Sequence, residues 1–154
     1  MTRYVVAALM LGTVGVARAQ AAPSAPATTR SGVYSAAQAE RGRIAYAGLC
    51  RSCHSPASHS GATFDKLWKG RTLGDLFGYV STQMPKNDPG SLNPDVYVDV
   101  MAYVLKMNAL PAGKAELPAD SAALASIRIE LPPKGARAAA STSKAQPTTK
   151  KKGA

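Results

Sequence analysis

Cys50-Arg51-Ser52-Cys53-His54 places both cysteines and one of the two histidines of a 154-residue chain within five consecutive positions. No other feature constrains the fold as strongly. Two thiols three positions apart on one helical turn can both reach the vinyl groups along one edge of a porphyrin, and the next residue can turn an imidazole toward the metal. The pattern is that of a c-type haem attachment site. It assigns Cys50 and Cys53 as the covalent thioethers of a single haem c and His54 as one axial ligand of its iron. A zinc centre needs four N or S donors, and only Cys50, Cys53, His54 and His59 are on offer. The spacing from His54 to His59 resembles a zinc site, but the chain has no second cysteine pair and carries an export signal. A thioredoxin-like dithiol would need a βαβ pattern in the flanks, which is missing.

The export signal occupies residues 1–19. Arg3 precedes an uncharged run from Val5 to Ala17, and Ala17-Arg18-Ala19 offers the small-x-small pattern of a cleavage site. Thirteen residues fall short of the roughly twenty that cross a bilayer as a helix. The mature chain would start at Gln20 in the periplasm, where two cysteines normally suggest a disulfide; here the haem would take both. A bound haem would also help fill a core that a domain of this size builds with difficulty.

Composition divides the remainder. Residues 20–33 read as a flexible leader rich in Ala, Pro, Ser and Thr, and 132–154 as a disordered basic tail. That tail holds Lys134, Arg137, Lys144, Lys150, Lys151 and Lys152 and no acid. Between Ser31 and Leu131 ten Lys and Arg face nine Asp and Glu, so the net charge of +10 belongs mostly to the ends. The basic residues are not interleaved with aromatics and no groove-reading motif is present, which argues against nucleic acid. The tail is either a solvated segment or a contact for an acidic protein or an anionic membrane surface.

Periodicity predicts an all-α body of three main helices. The first, Ala36 to Leu49, is capped by Ser35, has Ala39, Ile44, Ala45 and Leu49 toward one side, and runs into Cys50. The second, Leu73 to Thr82, is capped by Thr72 and shows Leu73, Leu76, Phe77 and Val80 as its stripe. The third starts at Asn93-Pro94-Asp95, repeats apolar residues at Val96, Val100, Tyr103, Val104 and Met107, and stops near Asn108. Beyond this body, residues 113–131 form an extension. Asp120-Ser121 caps a short helix there, and Ile127, Ile129 and Leu131 alternate as in a half-exposed strand. The strand would pack on its own domain or add to a partner's sheet edge.

The order of a Gly42-Arg43-Ile44-Ala45-Tyr46 helix, the Cys50 to His54 motif, Thr82-Gln83-Met84-Pro85 and Tyr103 to Asn108 resembles the class I cytochrome c domain. It is most similar to the cytochrome modules of bacterial quinoprotein alcohol dehydrogenases. Their phrases W-x-G-R-x-L-G-x-L-F, M-P-x-x-x-P-G-S-L and A-Y-x-L-x-x-N-x-x-P-A-G stand here as Trp68 to Phe77, Met84 to Leu92 and Ala102 to Gly113. The resemblance implies a cytochrome c-like fold over 34–112, with Gly42 and Tyr103 at a close crossing of the first and last helices.

Ligand chemistry points to the same sixth ligand as the resemblance. A carrier of high potential wants a thioether opposite His54. Met1 and Met10 leave with the signal, while Met101 and Met107 lie at core spacing on the last helix. Met84 follows a helix and precedes Pro85, in a segment whose Pro89 and Gly90 suit an irregular loop. Met84 is therefore the candidate distal ligand. His59, five residues past His54, is read as an exposed loop histidine. Trp68 and Arg71 are candidates for holding a haem propionate, with covering apolar surface and pointing to water as the respective alternatives.

A haem closed by His54 and Met84 leaves no position for oxygen or peroxide, so the expected role is electron transfer rather than catalysis. Partners would be a periplasmic dehydrogenase as donor and a terminal oxidase or another cytochrome as acceptor. They would meet the cofactor edge near Cys53, among Ser55, Pro56, Ala57 and Pro85. The alternative is a ligand-binding or peroxidase-like haem protein with a labile distal ligand.

Overall fold

The computed structural model describes residues 27–133, and the expected signal peptide, most of the leader and nearly all of the basic tail lie outside that range. Five α-helices carry the described chain: α1 Ala36–Leu49, α2 Gly61–Trp68, α3 Leu73–Gln83, α4 Pro94–Met107 and α5 Ser121–Ala125. No extended strand is formed among the described residues; only isolated bridges occur. The body is thus all-α, with one helix of substance more than the three expected. The added one is α2, where Phe64, Leu67 and Trp68 stand at helical spacing and Phe64 and Trp68 are buried. No helix among the described residues is long and apolar enough to cross a membrane.

The expected caps form. Ser35 Oγ accepts from the Gln38 N–H at the start of α1, and Asn93 Oδ1 accepts from Asp95 N–H ahead of Pro94 at the start of α4. At α3, Thr72 and Asp75 make a reciprocal capping box, each side chain accepting from the other's backbone N–H. Leu73, Leu76 and Phe77 are buried below it and Val80 is half-buried, matching the expected stripe.

Helix α1 packs along α4, and this is the most extensive helix pairing in the fold. Its buried face is Gln38, Ala39, Gly42 and Tyr46. That corrects the sequence reading, because Ile44 is 61% exposed and Leu49 45% exposed. Two residues of α-helix turn the chain by about 200°, so choosing Gly42 for the crossing puts Ile44 on the far side. The crossing needs a glycine, since a Cβ at position 42 would collide with the Asp99 carbonyl of α4. One turn further along, Tyr103 packs on the Tyr46 ring, with centroids 5.4 Å apart. On α4 the fully buried residues include Val98, Met101, Ala102 and Leu105, while Val96, Val100, Tyr103 and Met107 of the expected stripe flank them half-buried.

Residues 113–131 fold back on the body. The buried amide of Gln38 donates from Nε2 to the Leu117 carbonyl at 3.0 Å and accepts the Leu117 N–H at 2.8 Å. Asp120 caps α5 through Ala123 N–H, and Leu124, Ile127 and Ile129 are buried. The extended segment at Arg128 is bonded along both edges. Arg128 N–H donates to the Ala27 carbonyl and its carbonyl accepts from Thr29, while Ile129 exchanges bonds with Arg71 and Gly70. Addition to a partner's sheet is therefore not what this segment is built for, because its own chain already uses both backbone edges. The same contacts revise the leader: Thr29 is fully buried and exchanges hydrogen bonds with Glu130, so the described residues 27–33 belong to the packed body.

Candidate functional site

The end of α1 shapes the Cys50 to His54 motif. Cys50 N–H and Arg51 N–H both donate to the Tyr46 carbonyl, then Cys53 N–H and His54 N–H both donate to the Cys50 carbonyl. The chain therefore makes one further helix-like turn after α1 closes, and this turn carries both thiols and the imidazole. Tyr46 braces it from below, its hydroxyl donating to the His54 and Ser55 carbonyls at 3.2 Å each. Neither cysteine is paired in a disulfide; Cys53 is exposed and Cys50 half-buried. Burial pushes the Cys50 thiol above its ordinary pKa.

Cys50, Cys53, His54 and Met84 all line one cavity of about 450 Å³, although Met84 is thirty residues along from His54. The walls are mainly apolar: Phe64, Leu67 and Trp68 of α2, Leu76 and Val80 of α3, and Val100, Met101 and Val104 of α4 contribute. Leu67 and Tyr79 are about half exposed, at 54% and 48%, while also lining the cavity. Such exposure of large apolar side chains around one concave space is the mark of a ligand or partner site.

Met84 is the first residue past α3. Its N–H donates to the Val80 carbonyl at 3.1 Å, and its own carbonyl accepts from the Tyr97 hydroxyl at 2.7 Å. The loop that follows turns tightly, with Asp88 N–H donating to the Pro85 carbonyl and Gly90 taking a positive φ of 81° that suits glycine. Of the other described methionines, Met101 is 1% exposed in the core and Met107 is partly buried against it.

Trp68 and Arg71 stand together on the cavity wall. The Arg71 guanidinium lies over the indole at 4.8 Å from the ring centroid, and Tyr79 meets the indole edge-on with ring centroids 5.7 Å apart. Trp68 is 8% exposed, and Arg71 stacks on it while its side chain stays 52% exposed to water. Asp75 Oδ2 lies 3.8 Å from Arg71 Nε.

His59 departs from the sequence reading. It is half-buried on the cavity wall, its ring 4.7 Å from that of His54 and edge-on to Tyr46 at 5.9 Å. Burial, and secondarily the charge of His54, holds its pKa below the usual histidine value. The segment is pinned by Asn108, 2% exposed, which donates from Nδ2 to the His59 carbonyl and accepts the Gly61 N–H on Oδ1. Sequence reasoning missed Tyr97 and the roles of Tyr46 and Asn108. Nothing local marks Tyr97 out from other apolar residues of α4; only its position opposite Met84 gives its hydroxyl a partner.

Among the described residues, no three or more His, Cys, Asp and Glu side chains gather as a metal cluster. No protein-family model, curated protein or solved structure matches the chain.

Proposed function

We propose that this protein is a single-haem electron carrier of the periplasm, similar to class I c-type cytochromes. One observation carries the reading: the two thiols, the imidazole and the thioether singled out by the sequence line the same cavity of about 450 Å³, which is mainly apolar. A c-type haem asks for that set of donors and an apolar enclosure. When bound, the haem supplies a one-electron couple between ferric and ferrous iron. Cys50 and Cys53 would anchor it covalently, and the His54 nitrogen and Met84 sulfur would hold its iron. An iron held by both residues would leave no site for oxygen or peroxide, which supports an electron carrier over an enzyme.

Other residues tune and shield. The Trp68 indole N–H and the Arg71 guanidinium are suited to donate to a propionate carboxylate at the cavity wall. Phe64, Leu76 and Val104 exclude water, which favours a closed site. Cys53, Ser55, Pro56 and Ala57 are exposed beside the motif and offer the surface through which a redox partner would exchange electrons. Partners of this class, a periplasmic dehydrogenase as donor and an oxidase or second cytochrome as acceptor, make small transient contacts.

Expression of the full chain in a host with c-type haem maturation tests the reading. Haem that stays with the polypeptide through detergent denaturation, a sulfur-to-iron charge-transfer band in the ferric protein, and inertness of the ferrous protein to carbon monoxide are expected. Absence of covalent haem overturns the proposal. Carbon monoxide binding at neutral pH replaces it with the ligand-binding alternative.

A further inference from the structure

Met84 is tethered on both sides of its Cα to two different helices. Its N–H is bonded to Val80 of α3 at 3.1 Å, and its carbonyl receives the hydroxyl of Tyr97 from α4 at 2.7 Å. Fixing the two peptide groups that flank one Cα restrains both of its soft dihedrals and so sets the direction of its Cα–Cβ bond. This matters more for methionine than for most residues, because its three further rotatable bonds do not aim the sulfur by themselves.

Tyr97 is well placed to act as a fixed post. It sits in the first turn of α4, directly after the Asn93 cap and Pro94, and is 4% exposed. Its ring lines the same cavity as Met84. The hydroxyl also lies 3.4 Å from the Leu92 N–H, at the far end of the loop that begins with Met84. One phenol oxygen thus meets both ends of the segment 84–92, while Gly90 N–H makes a longer contact of 3.4 Å to the same Met84 carbonyl.

We infer that the Tyr97 hydroxyl is a positioning group for the distal ligand: it holds the Met84 backbone so that the thioether is presented to the cavity, and its loss makes that ligand easier to displace. The inference rests on the reading of Met84 as an axial ligand. It concerns the hydroxyl and not the ring, which would remain as packing.

The test compares Tyr97→Phe with Tyr34→Phe in the full-length, haem-loaded protein. Tyr34 is a matched control, because its buried hydroxyl donates to the Leu110 carbonyl at the same 2.7 Å but does not line the cavity. Ferric protein is titrated with imidazole at neutral pH, and loss of the sulfur-to-iron band on heating is followed beside far-ultraviolet circular dichroism. Removing one hydrogen bond of typical net worth should let imidazole bind about fivefold more tightly to Tyr97→Phe, with Tyr34→Phe within about twofold of the parent. In Tyr97→Phe the band should fade before helicity is lost. Equal imidazole affinity in both variants, or coincident loss of band and helicity in Tyr97→Phe as in Tyr34→Phe, overturns the positioning role and leaves the axial assignment standing. A parent protein that lacks the band defeats the axial assignment itself, and the inference with it.

Discussion

Gly42 of α1 lies against the Asp99 carbonyl of α4 so closely that no side chain fits between them. The contact sets the approach of the two longest helices, and Arg41 next to it locks the register by a two-point bond to Asp99, at 2.9 Å from both Nε and Nη2. Because the neighbour is backbone, it cannot swing aside as a side chain could. Gly42→Ala should therefore destabilise the fold by about 3 kcal/mol, at the upper end of overpacking costs. Urea unfolding checks this, with a lowered midpoint and an unchanged slope expected.

Met84→Ala should leave the helices intact, since Met84 caps α3 through its backbone and the Val80 bond survives the change. The ferric protein should lose its sulfur-to-iron band, and the ferrous protein should gain carbon monoxide binding. Optical spectra before and after reduction read both effects. The parallel change Met107→Ala should leave the band in place, since Met107 is packed against the core and does not line the cavity.

Gln38→Leu should open the extension. The substitution strands a buried N–H and a buried carbonyl of Leu117, each worth about 1–3 kcal/mol when left unsatisfied. Hydrogen exchange should quicken across 113–131 before it does in α4. Deleting Ser126 to Leu131 goes further, because it removes buried Ile127 and Ile129 and both edges of backbone pairing. Loss of cooperative unfolding is the expected result.

The capping box of α3 should show in acid. Hydrogen bonds from the Thr72 backbone and side chain, with Arg71 nearby, hold the Asp75 carboxyl below its ordinary pKa of 3.8. A carboxyl depressed in the folded state stabilises it fully above pH 3.8 and loses that contribution as pH falls through the lowered value. Thr72→Ala should cost about 1 kcal/mol at neutral pH. It should also flatten this acid limb, which a series of thermal melts between pH 5 and pH 2 would detect.

Much of the arrangement is legible in the sequence, and for local reasons. The caps at Ser35, Thr72, Asn93 and Asp120 depend on residues within three positions of each other, and all four form. Helix α2 is absent from the sequence reading although Phe64, Leu67 and Trp68 stand at helical spacing, because eight residues are short enough to pass for a loop. The buried face of α1 was not legible, because Ile44 outranks Gly42 on any apolar scale and only the partner helix makes the glycine the contact point.

The sequence by itself determined the chemistry on offer: two thiols and an imidazole on one turn, a methionine stopped ahead of a proline, and helices to carry them. Those features are encoded in spacing and in short-range hydrogen bonds, which a chain expresses wherever it folds. Tertiary structure alone decided that Met84 and the Cys50 to His54 turn share a cavity, that His59 turns inward beside His54, and that Tyr97 meets the Met84 carbonyl. Met84 stands thirty residues from His54, and His59, only five residues past it, is held by Asn108 from the end of α4; such contacts are set by how closely the helices can pack: here by a glycine at position 42, a buried amide at position 38 and the return of residues 113–131 across the body.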